Sequence, residues 1–315
     1  MTAPAHIAHY QLLELIGQDG PVETWRARDS RLQRTVAVQV LRRHPDTAAE
    51  EVDRFRRQAH VSSLVTHPHI CAVHNWGEDD GHPYVVRELL TGRRLDEVLA
   101  AGPMPLDRAL DLAIQLTGAL CAVHRRGLVH GQVRPSNIRL TLDGHVKLLG
   151  LGTAIADPSA ASPELGALAT TAVDIDTSAA TEGALDANPY LAPEQVAGHP
   201  PTAASDVFAT GALLYEMTTG ARPFEGATPT DLSHAILSSM PVPVRRRNRR
   251  VPADVSALID RALAKAPQSR PASAQDLLDA LREARRELGT RFRFLPAWNR
   301  TTATVAATVV VLIAG

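Results

Sequence analysis

Residues 129–152 contain a polar loop between short apolar strands, and several side chains of this stretch could take part in chemistry. An amide oxygen such as that of Gln132 can accept a hydrogen bond, but it cannot take up a proton near neutral pH. Gly150 has no side chain and cannot bind a metal. The loop can therefore position polar groups, but it has no base or metal ligand at these two places. The other polar residues of the loop are His130, Arg134 and Asn137.

The elements that would hold this loop follow from its sequence. A short strand precedes it, and two strands joined at Asp143-Gly144 follow it, with Val146, Leu148 and Leu149 as apolar core residues. The spacing resembles the catalytic and metal-binding loops of protein kinases, which carry His-Arg-Asp, a basic residue, Pro and Asn, and then Asp-Phe-Gly. The matching residues are His130, Arg134, Pro135, Asn137 and Gly152. Gly131-Gln132 replace Arg-Asp, and Gly150-Leu151 replace Asp-Phe.

In a kinase the two missing acids have separate tasks. One accepts the proton of the attacking hydroxyl, and the other holds the magnesium that neutralises the β- and γ-phosphates. A shifted alignment would bring Asp143 or Asp157 to these positions, but it would break the match at Asn137 and Gly152. We therefore interpret the acids as absent.

Upstream, Tyr10 to Arg28 resembles the first two strands of a bacterial receptor-type (Hanks-type) Ser/Thr kinase, including its glycine-rich turn. Kinases space three glycines there so that backbone amides can approach phosphates. Gly17 matches the first glycine, whereas Asp19 and Val22 occupy the other two positions. This segment indicates the fold and argues against tight triphosphate binding.

The resemblance also locates the ion pair that positions phosphates in a kinase. Gln39 stands at the lysine position of the Val-Ala-Ile-Lys segment, and Gln58 stands at its glutamate partner. Two amides can hydrogen-bond one another, so the replacement is neutral and avoids an unpaired buried charge. The first 146 residues contain no lysine that could substitute.

The predicted nucleotide pocket contains Gly17, Arg87, Glu88 and Leu90. Arg87 falls where kinases keep an apolar residue behind the adenine, so its guanidinium must find a partner or point outward. We expect it to turn into the vacated nucleotide site and to bond to Gln39, Gln58 or Glu88. His67, His69 and His74 lie on a turn and a strand, and we expect no metal site there.

The structural charges of the kinase frame are present in this sequence. By resemblance, Asp206 accepts backbone N–H bonds from the catalytic loop, and Arg270 pairs with Glu194 of the Ala-Pro-Glu motif. The losses are confined to groups that would contact ATP, magnesium or the hydroxyl. We therefore interpret the chain as a degenerate, actinobacterial-type member of the family, a pseudokinase, and expect that it is not an enzyme.

The chain of 315 residues has 44% hydrophobic residues and a net charge of -1, which argues against a nucleic-acid partner. The resemblance implies an α+β, bilobal fold with a small five-stranded lobe carrying one helix and a larger helical lobe. Its two cysteines imply no disulfide framework. The predicted segments are an N-terminal tail (1–9), the small lobe (10–90) and the large lobe (91–288).

Within the large lobe, residues 150–189 form a predicted long, mobile activation segment, because Ala, Thr, Ser, Pro and acids dominate it. Family resemblance makes its threonines candidate acceptors for an active Ser/Thr kinase acting in trans, and forkhead-associated domains would then read the phosphothreonine. The candidate acceptors are Thr170, Thr171, Thr177 and Thr181.

The predicted linker 289–300 is basic and aromatic, with Trp298 flanked by arginines, and an uncharged run of fifteen residues (301–315) follows it. This arrangement favours the start of a single-pass membrane helix, with the rest anchored on the cytoplasmic side of the inner membrane. A C-terminal segment docked on the lobe is the alternative. The arginine run 245–250 is expected to face anionic lipid or an acidic partner, or to be a solvated loop.

Three functions follow from these observations. The leading one is a membrane-tethered pseudokinase that acts as a scaffold or regulatory module in bacterial Ser/Thr kinase signalling, such as control of the cell envelope. The second is a divergent Ser/Thr kinase with weak ATP-dependent phosphotransfer, and the third is a nucleotide sensor without transfer activity. We expect no cofactor and no magnesium, with weak ATP binding as an open alternative.

Overall fold

The structure, a computed structural model, describes residues 6–42, 49–157 and 188–293. Most of the predicted activation segment lies outside these ranges. So do the four candidate acceptors Thr170, Thr171, Thr177 and Thr181, and the apolar run 301–315. All structural statements below concern the described residues.

The first lobe is built on a six-stranded antiparallel sheet in the order β1-β2-β3-β4-β6-β5. Register pairs Ala37 with Arg87 and Gln39 with Val85, so these four side chains share one face of the sheet. The strands are β1 (His6–Ile7), β2 (Tyr10–Asp19), β3 (Val22–Asp29), β4 (Arg34–Leu41), β5 (Val73–Asp79) and β6 (His82–Arg87).

The bilobal α+β fold that the sequence predicts is confirmed, with six strands in this sheet instead of five. The additional strand is β1, inside the segment predicted to be a tail. It forms because Ile7 is 2% exposed and packs in a core cluster with Tyr10. The backbone N–H of Ala8 also donates to Asp79 Oδ2 at 2.7 Å.

Helix α1 (Ala49–Ser63) packs across the sheet face that carries Gln39 and Arg87. Its apolar spacing buries Val52, Phe55 and Ala59 against Leu41 and Val85. Acidic residues in the first turn of α1 are favourable for the helix dipole. The helix therefore brings Gln58 to the inner side of the lobe.

The second lobe is helical and is organised around α3 and α5. Helix α5 is apolar on nearly all sides, as expected for a helix enclosed by others, and α3 presents its long apolar stripe to the same core. The helices are α2 (Leu95–Leu99), α3 (Leu106–His124), α4 (Pro193–Val196), α5 (Ala203–Thr219), α6 (Pro229–Ser238), α7 (Val244–Arg247), α8 (Ala253–Ala262) and α9 (Ala274–Arg293).

Two small sheets position the polar loop at the junction of the lobes. One has the order β10-β9-β7 and the other pairs β11 with β8. The strands are β7 (Arg93–Arg94), β8 (Leu128–Val129), β9 (Ile138–Leu140), β10 (Val146–Leu148) and β11 (Ile155–Ala156). The polar loop thus runs from β8 to β9, and the turn Leu151–Thr153 follows β10.

None of the helices in ranges 6–42, 49–157 and 188–293 has both the length and the apolar composition that a bilayer crossing requires.

Candidate functional site

The polar loop is held by the carboxylate of Asp206, near the start of α5. Asp206 is 1% exposed and accepts hydrogen bonds from the backbone N–H groups of His130 at 2.9 Å and Gly131 at 2.8 Å. His124 Nε2, at the end of α3, lies 2.8 Å from the same carboxylate. A buried carboxylate is stable only with such partners. Asp206 therefore fixes the loop backbone to both central helices.

His130 connects the loop to Leu149, the residue that follows strand β10. Its Nδ1 accepts from the backbone N–H of Gln132 at 3.2 Å, so the hydrogen-bond pattern assigns the ring proton to Nε2, which donates to the Leu149 carbonyl at 2.8 Å. Burial lowers the pKa of His130, although Asp206 opposes the shift. A neutral imidazole therefore serves as a rigid bridge at this point.

Asn137 and Gly150 lie side by side across the loop. The Asn137 side-chain amide donates to the Gln132 carbonyl at 2.8 Å, and a Cβ at Gly150 would lie 3.1 Å from Asn137 Nδ2. Gly150 has φ +83°, the left-handed region. Within the described residues, no carboxylate is among the hydrogen-bond partners of Asn137. An acidic side chain at position 150 would stand directly beside this amide.

Gly131 has a structural role that the sequence analysis did not predict. Its φ is +69°, and a Cβ there would lie 2.9 Å from Pro201 Cγ. Its carbonyl also accepts a hydrogen bond from the Gln195 side chain at 2.9 Å. The loop therefore has space for glycine alone, where a kinase carries arginine.

A second buried charge, Arg270, connects the helices beneath the loop. Its Nη1 and Nη2 each donate to Glu194 at 2.8 Å, and its remaining bonds go to the carbonyls of Ala204, Ala264 and Lys265. Ser205 Oγ donates to Glu194 Oε1 at 2.6 Å. Burial alone would raise the pKa of Glu194, but the bonds from Arg270 and Ser205 outweigh it and lower the pKa.

Replacing Asp206 with asparagine is expected to lower the free energy of unfolding by about 1–3 kcal/mol. The amide would retain one acceptor oxygen and would point its NH₂ at a backbone N–H that Asp206 now satisfies. Urea unfolding of both proteins measures the difference. Asp279→Asn, an exposed carboxylate on α9, is the matched control and should change little. Equal midpoints for Asp206→Asn and the unchanged chain would contradict the anchoring role.

The two glutamines at the family's ion-pair positions do not bond to each other. Gln39 and Gln58 are both half-buried, and no hydrogen bond joins their side chains in the described part of the chain. Gln58 instead packs on the turn after β10: a Cβ at Gly152 would lie 3.0 Å from Gln58 Cβ. Helix α1 therefore lies close to this turn without the ion pair.

Arg87 is half-buried, and its predicted partners are wrong. Its Nη2 donates to Ser62 Oγ of α1 at 3.5 Å, and not to Gln39, Gln58 or Glu88. Its Nε is buried without a hydrogen-bond partner. Burial lowers the pKa of this guanidinium. The reason is the register: Arg87 shares a sheet face with Ala37 and Gln39, and that face lies under α1.

Replacing Arg87 with methionine is expected to raise the free energy of unfolding by about 1–3 kcal/mol. The reason is that an apolar side chain removes a half-buried cation whose Nε is enclosed and for which the described residues supply no counterion. Chemical denaturation gives the difference. The control is Arg26→Met, since Arg26 is an exposed arginine paired with Glu14 and its replacement should change stability by less than about 0.5 kcal/mol. A loss of stability in Arg87→Met would show that the guanidinium has a stabilising role.

The remaining predicted pocket residues are Gly17, Glu88 and Leu90. Glu88 pairs with Lys147, whose Nζ lies 2.8 Å from Glu88 Oε2, and Leu90 is half-buried beyond it. Gly17 is exposed near the tip of the β2–β3 hairpin, opposite Thr24. The Glu88–Lys147 pair was missed from the sequence, although Lys147 is one of only two lysines in the chain.

His67 and His69 lie next to each other, beside strand β10. The His67 and His69 rings lie 5.5 Å apart, and His69 Nδ1 lies 3.1 Å from the Val146 carbonyl. In the ranges that the structure describes, no three His, Cys, Asp or Glu side chains are arranged to hold a metal ion. At Asn137, the described residues place no carboxylate among its hydrogen-bond partners, so this part of the site does not fit the magnesium that a kinase fold implies.

The arrangement still has groups that suit phosphate chemistry. Arg134 is exposed in the loop between Gln132 and Asn137, where a guanidinium can bind phosphate oxygens in a fork. Gln132 is half-buried next to it and can accept a hydrogen bond from a hydroxyl. The site can orient a hydroxyl and an anionic group, but it provides no side-chain base there.

The chain is similar to known proteins over most of its length. Residues 10–281 match the protein kinase domain. The chain is 34% identical over 285 residues to the serine/threonine-protein kinase PknB of Mycobacterium leprae, covering 88% of this chain and 43% of that protein. It is 35% identical over 283 residues to PknB of Mycolicibacterium smegmatis, with the same coverage.

A third relative is the serine/threonine-protein kinase PknA of Mycobacterium tuberculosis, 35% identical over 284 residues, covering 88% of this chain and 61% of PknA. The chain thus covers less than two thirds of the length of these relatives. The comparisons contradict the expectation that the chain is not an enzyme, because the matched domain and the relatives are named as protein kinases. The chain belongs to the protein kinase family.

Proposed function

We propose that the chain is a divergent Ser/Thr protein kinase that transfers phosphate from ATP slowly. The observation that carries the proposal is the ordered polar loop, held by Asp206 within a domain whose relatives are named Ser/Thr kinases. Phosphoryl transfer depends mainly on positioning and electrostatics, so a site without its acids can retain part of its rate.

In this proposal the substrate hydroxyl bonds to the γ-phosphorus of ATP as the bond to the β–γ bridging oxygen breaks and ADP leaves. Gln132 orients the hydroxyl as a hydrogen-bond acceptor, and the hydroxyl proton passes to solvent because the amide cannot hold it. Arg134 binds the transferred phosphate. Loss of a general base lowers a rate by roughly 10²–10⁴-fold, so transfer should be slow.

No step is assigned to magnesium, because the donor set beside Asn137 does not fit it. We propose weak nucleotide binding that depends little on the metal. Thermal unfolding with ATP alone and with Mg-ATP tests this part, because a ligand that binds only the folded state must raise stability.

The decisive experiment measures phosphate incorporation from labelled ATP into the chain and into a generic basic protein substrate over long incubations. The unchanged chain should exceed an Asn137→Ala variant, and Arg134→Ala should fall well below Arg134→Lys. Incorporation equal to that of Asn137→Ala, with no phosphosite found by mass spectrometry, would overturn the proposal. If Asn137→Ala is slower and still folded, the loss of rate is a loss of catalysis and does not come from unfolding.

A regulatory role in bacterial Ser/Thr kinase signalling, including control of the cell envelope, is proposed alongside slow transfer. The sequence supports it through Thr170, Thr171, Thr177 and Thr181, which an active kinase would phosphorylate in trans for a forkhead-associated domain to bind. Incubation with an active Ser/Thr kinase, followed by phosphosite mapping, tests it. Absence of phosphate from residues 152–187 would remove this role.

The chain is further proposed to be tethered on the cytoplasmic side of the inner membrane by its C-terminal apolar run. The support is the uncharged segment 301–315 preceded by Trp298 and arginines. Membrane fractionation of cells that express the chain tests the tether. Recovery of the chain entirely in the soluble fraction would contradict it.

A further inference from the structure

The segment 237–250, named here the arginine loop, carries an unusual set of exposed side chains. Met240 is 82% exposed, and Leu237 and Val242 are each 42% exposed. The next turn and the residues after it expose a row of guanidinium groups. These belong to Arg245, Arg246, Arg247, Arg249 and Arg250. Apolar and cationic side chains thus share one continuous surface segment.

The fold determines the exposure of these side chains, because buried residues and hydrogen bonds hold the backbone of the loop at several points. Ile236, Val244 and Val251 are at most 1% exposed. Tyr215 Oη donates to the Val242 carbonyl at 2.7 Å, and Asn248 Nδ2 donates to the Thr218 carbonyl at 2.8 Å. The backbone of the loop is therefore attached to α5, and its outward side chains are held toward solvent.

The arginine loop has no internal compensation for its charge. No Asp or Glu occurs between Asp231 and Asp254 in the sequence. Among the described residues, none of the five arginines forms an ion pair with a carboxylate. Burial raises the pKa of Tyr215, Arg247 opposes this shift, and Asp260 and Glu225 on neighbouring elements add to it. The loop itself therefore carries positive charges alone beside its exposed apolar side chains, and the carboxylates near Tyr215 belong to neighbouring elements.

We propose that the arginine loop is a docking surface for an anionic lipid bilayer. Arginines attract anionic headgroups, and an exposed methionine flanked by leucine and valine can enter the interfacial region. An acidic protein would match the charge alone, whereas the exposed Met240 and the lack of any carboxylate in the loop favour a uniformly anionic surface with an apolar interior. The proposal concerns a surface apart from the Asn137 site and does not depend on phosphate transfer.

The test is sedimentation of the whole chain with phosphatidylcholine vesicles, with and without phosphatidylglycerol. The readout is the ratio of affinities for the two kinds of vesicle, because the apolar run 301–315 contributes to both. Each arginine near an anionic surface contributes about fivefold in affinity, so Arg246→Gln with Arg249→Gln should lower the ratio about 25-fold. Met240→Ser should lower binding to the anionic vesicles about tenfold.

The matched control replaces two exposed arginines of the first lobe, Arg26→Gln with Arg54→Gln, which are paired with Glu14 and Glu51. It removes the same charge and should leave the ratio unchanged. The proposal fails if phosphatidylglycerol does not increase binding, or if the control loses as much as the loop variant. Binding to soluble polyglutamate without vesicle binding would assign the loop to an acidic protein and overturn the proposal.

Discussion

Replacing Arg270 with alanine is expected to lower the free energy of unfolding by about 3–5 kcal/mol. Arg270 is 2% exposed, and its guanidinium joins Glu194 to three backbone carbonyls. Removing it leaves the Glu194 side chain, which is 13% exposed, without its counterion and with the Ser205 hydroxyl as a remaining donor. Breaking a buried pair from one side is costly for this reason, whatever the net value of the intact pair.

The pH dependence of stability gives an independent measure of the same pair. The pKa of Glu194 is lowered in the folded chain, so the folded state binds fewer protons than the unfolded state in the acid range. The stability from this group is complete above the usual pKa of 4.5 and is lost as pH falls through the folded value. In Arg270→Ala the pKa of Glu194 should rise, because the Ser205 bond would then oppose burial without the help of Arg270. The gap between the folded and unfolded pKa values narrows, so this loss of stability in acid should become smaller.

The control for this prediction is a surface pair of similar geometry. Arg285 donates to both oxygens of Asp111, at 2.7 and 3.1 Å, and both side chains are partly exposed. Arg285→Ala should cost less than about 1 kcal/mol, because solvent screens exposed pairs. Urea denaturation at neutral pH measures both variants. If Arg270→Ala and Arg285→Ala lose similar free energies of unfolding, the burial of Arg270 does not increase the cost of breaking its ion pair.

The charged residues that hold the large lobe together could be predicted from the sequence, because the kinase family has them at fixed positions in short motifs. Asp206, Glu194 and Arg270 each follow from a short motif, and the structure brings them into the contacts described above. Helix α1 was predictable as well, because its apolar residues Val52, Phe55 and Ala59 recur at helical spacing.

Side-chain partners across long separations could not be read in this way. Arg87 bonds to Ser62, which lies 25 residues earlier, and this contact depends on sheet register and on the reach of the side chain. The close approach of Gly131 to Pro201 likewise depends on the fold. A motif reports the type of residue at a position, but packing decides what that residue touches.

The sequence pattern also suggested a conclusion about activity that the family comparison corrected. Missing acids predict a slower reaction, and the step from a slow reaction to no enzyme does not follow from the residues. The backbone that holds Asn137 and Gln132 is ordered through Asp206 and His130. The loop backbone is therefore in place although the acidic side chains are missing. Putting those side chains back tests whether their loss alone slows the reaction.

Introducing aspartates at positions 132 and 150 together is expected to raise the rate of phosphate transfer by at least roughly 10²–10⁴-fold, the contribution of a general base alone. Gln132→Asp supplies a group that can accept the hydroxyl proton. Gly150→Asp places a carboxylate beside Asn137, since a Cβ at position 150 lies 3.1 Å from Asn137 Nδ2. Together with the Asn137 oxygen, that carboxylate would form a site for magnesium.

Position 150 can accept this change at a modest cost when the Asn137 side chain, which a Cβ there would approach to 3.1 Å, shifts by a few tenths of an ångström. Its φ of +83° is left-handed, a region that aspartate enters more easily than most residues, at roughly 1–2 kcal/mol. Gly131 should remain glycine, because its Cβ would meet Pro201. The restored variant should therefore fold, with a slightly lower unfolding midpoint, and should require magnesium for its added activity.

The matched control combines Gln132→Asp with Gly144→Asp. Gly144 also has a positive φ, +82°, with open space around its Cβ, and it lies in the β9–β10 turn away from Asn137. This variant carries the same added charge and similar backbone strain without a metal-binding pair. Its rate should not depend on magnesium, whereas that of the restored variant should. A folded restored variant with an unchanged rate would show that the loop is not in a productive geometry, because both acids would then be present without effect.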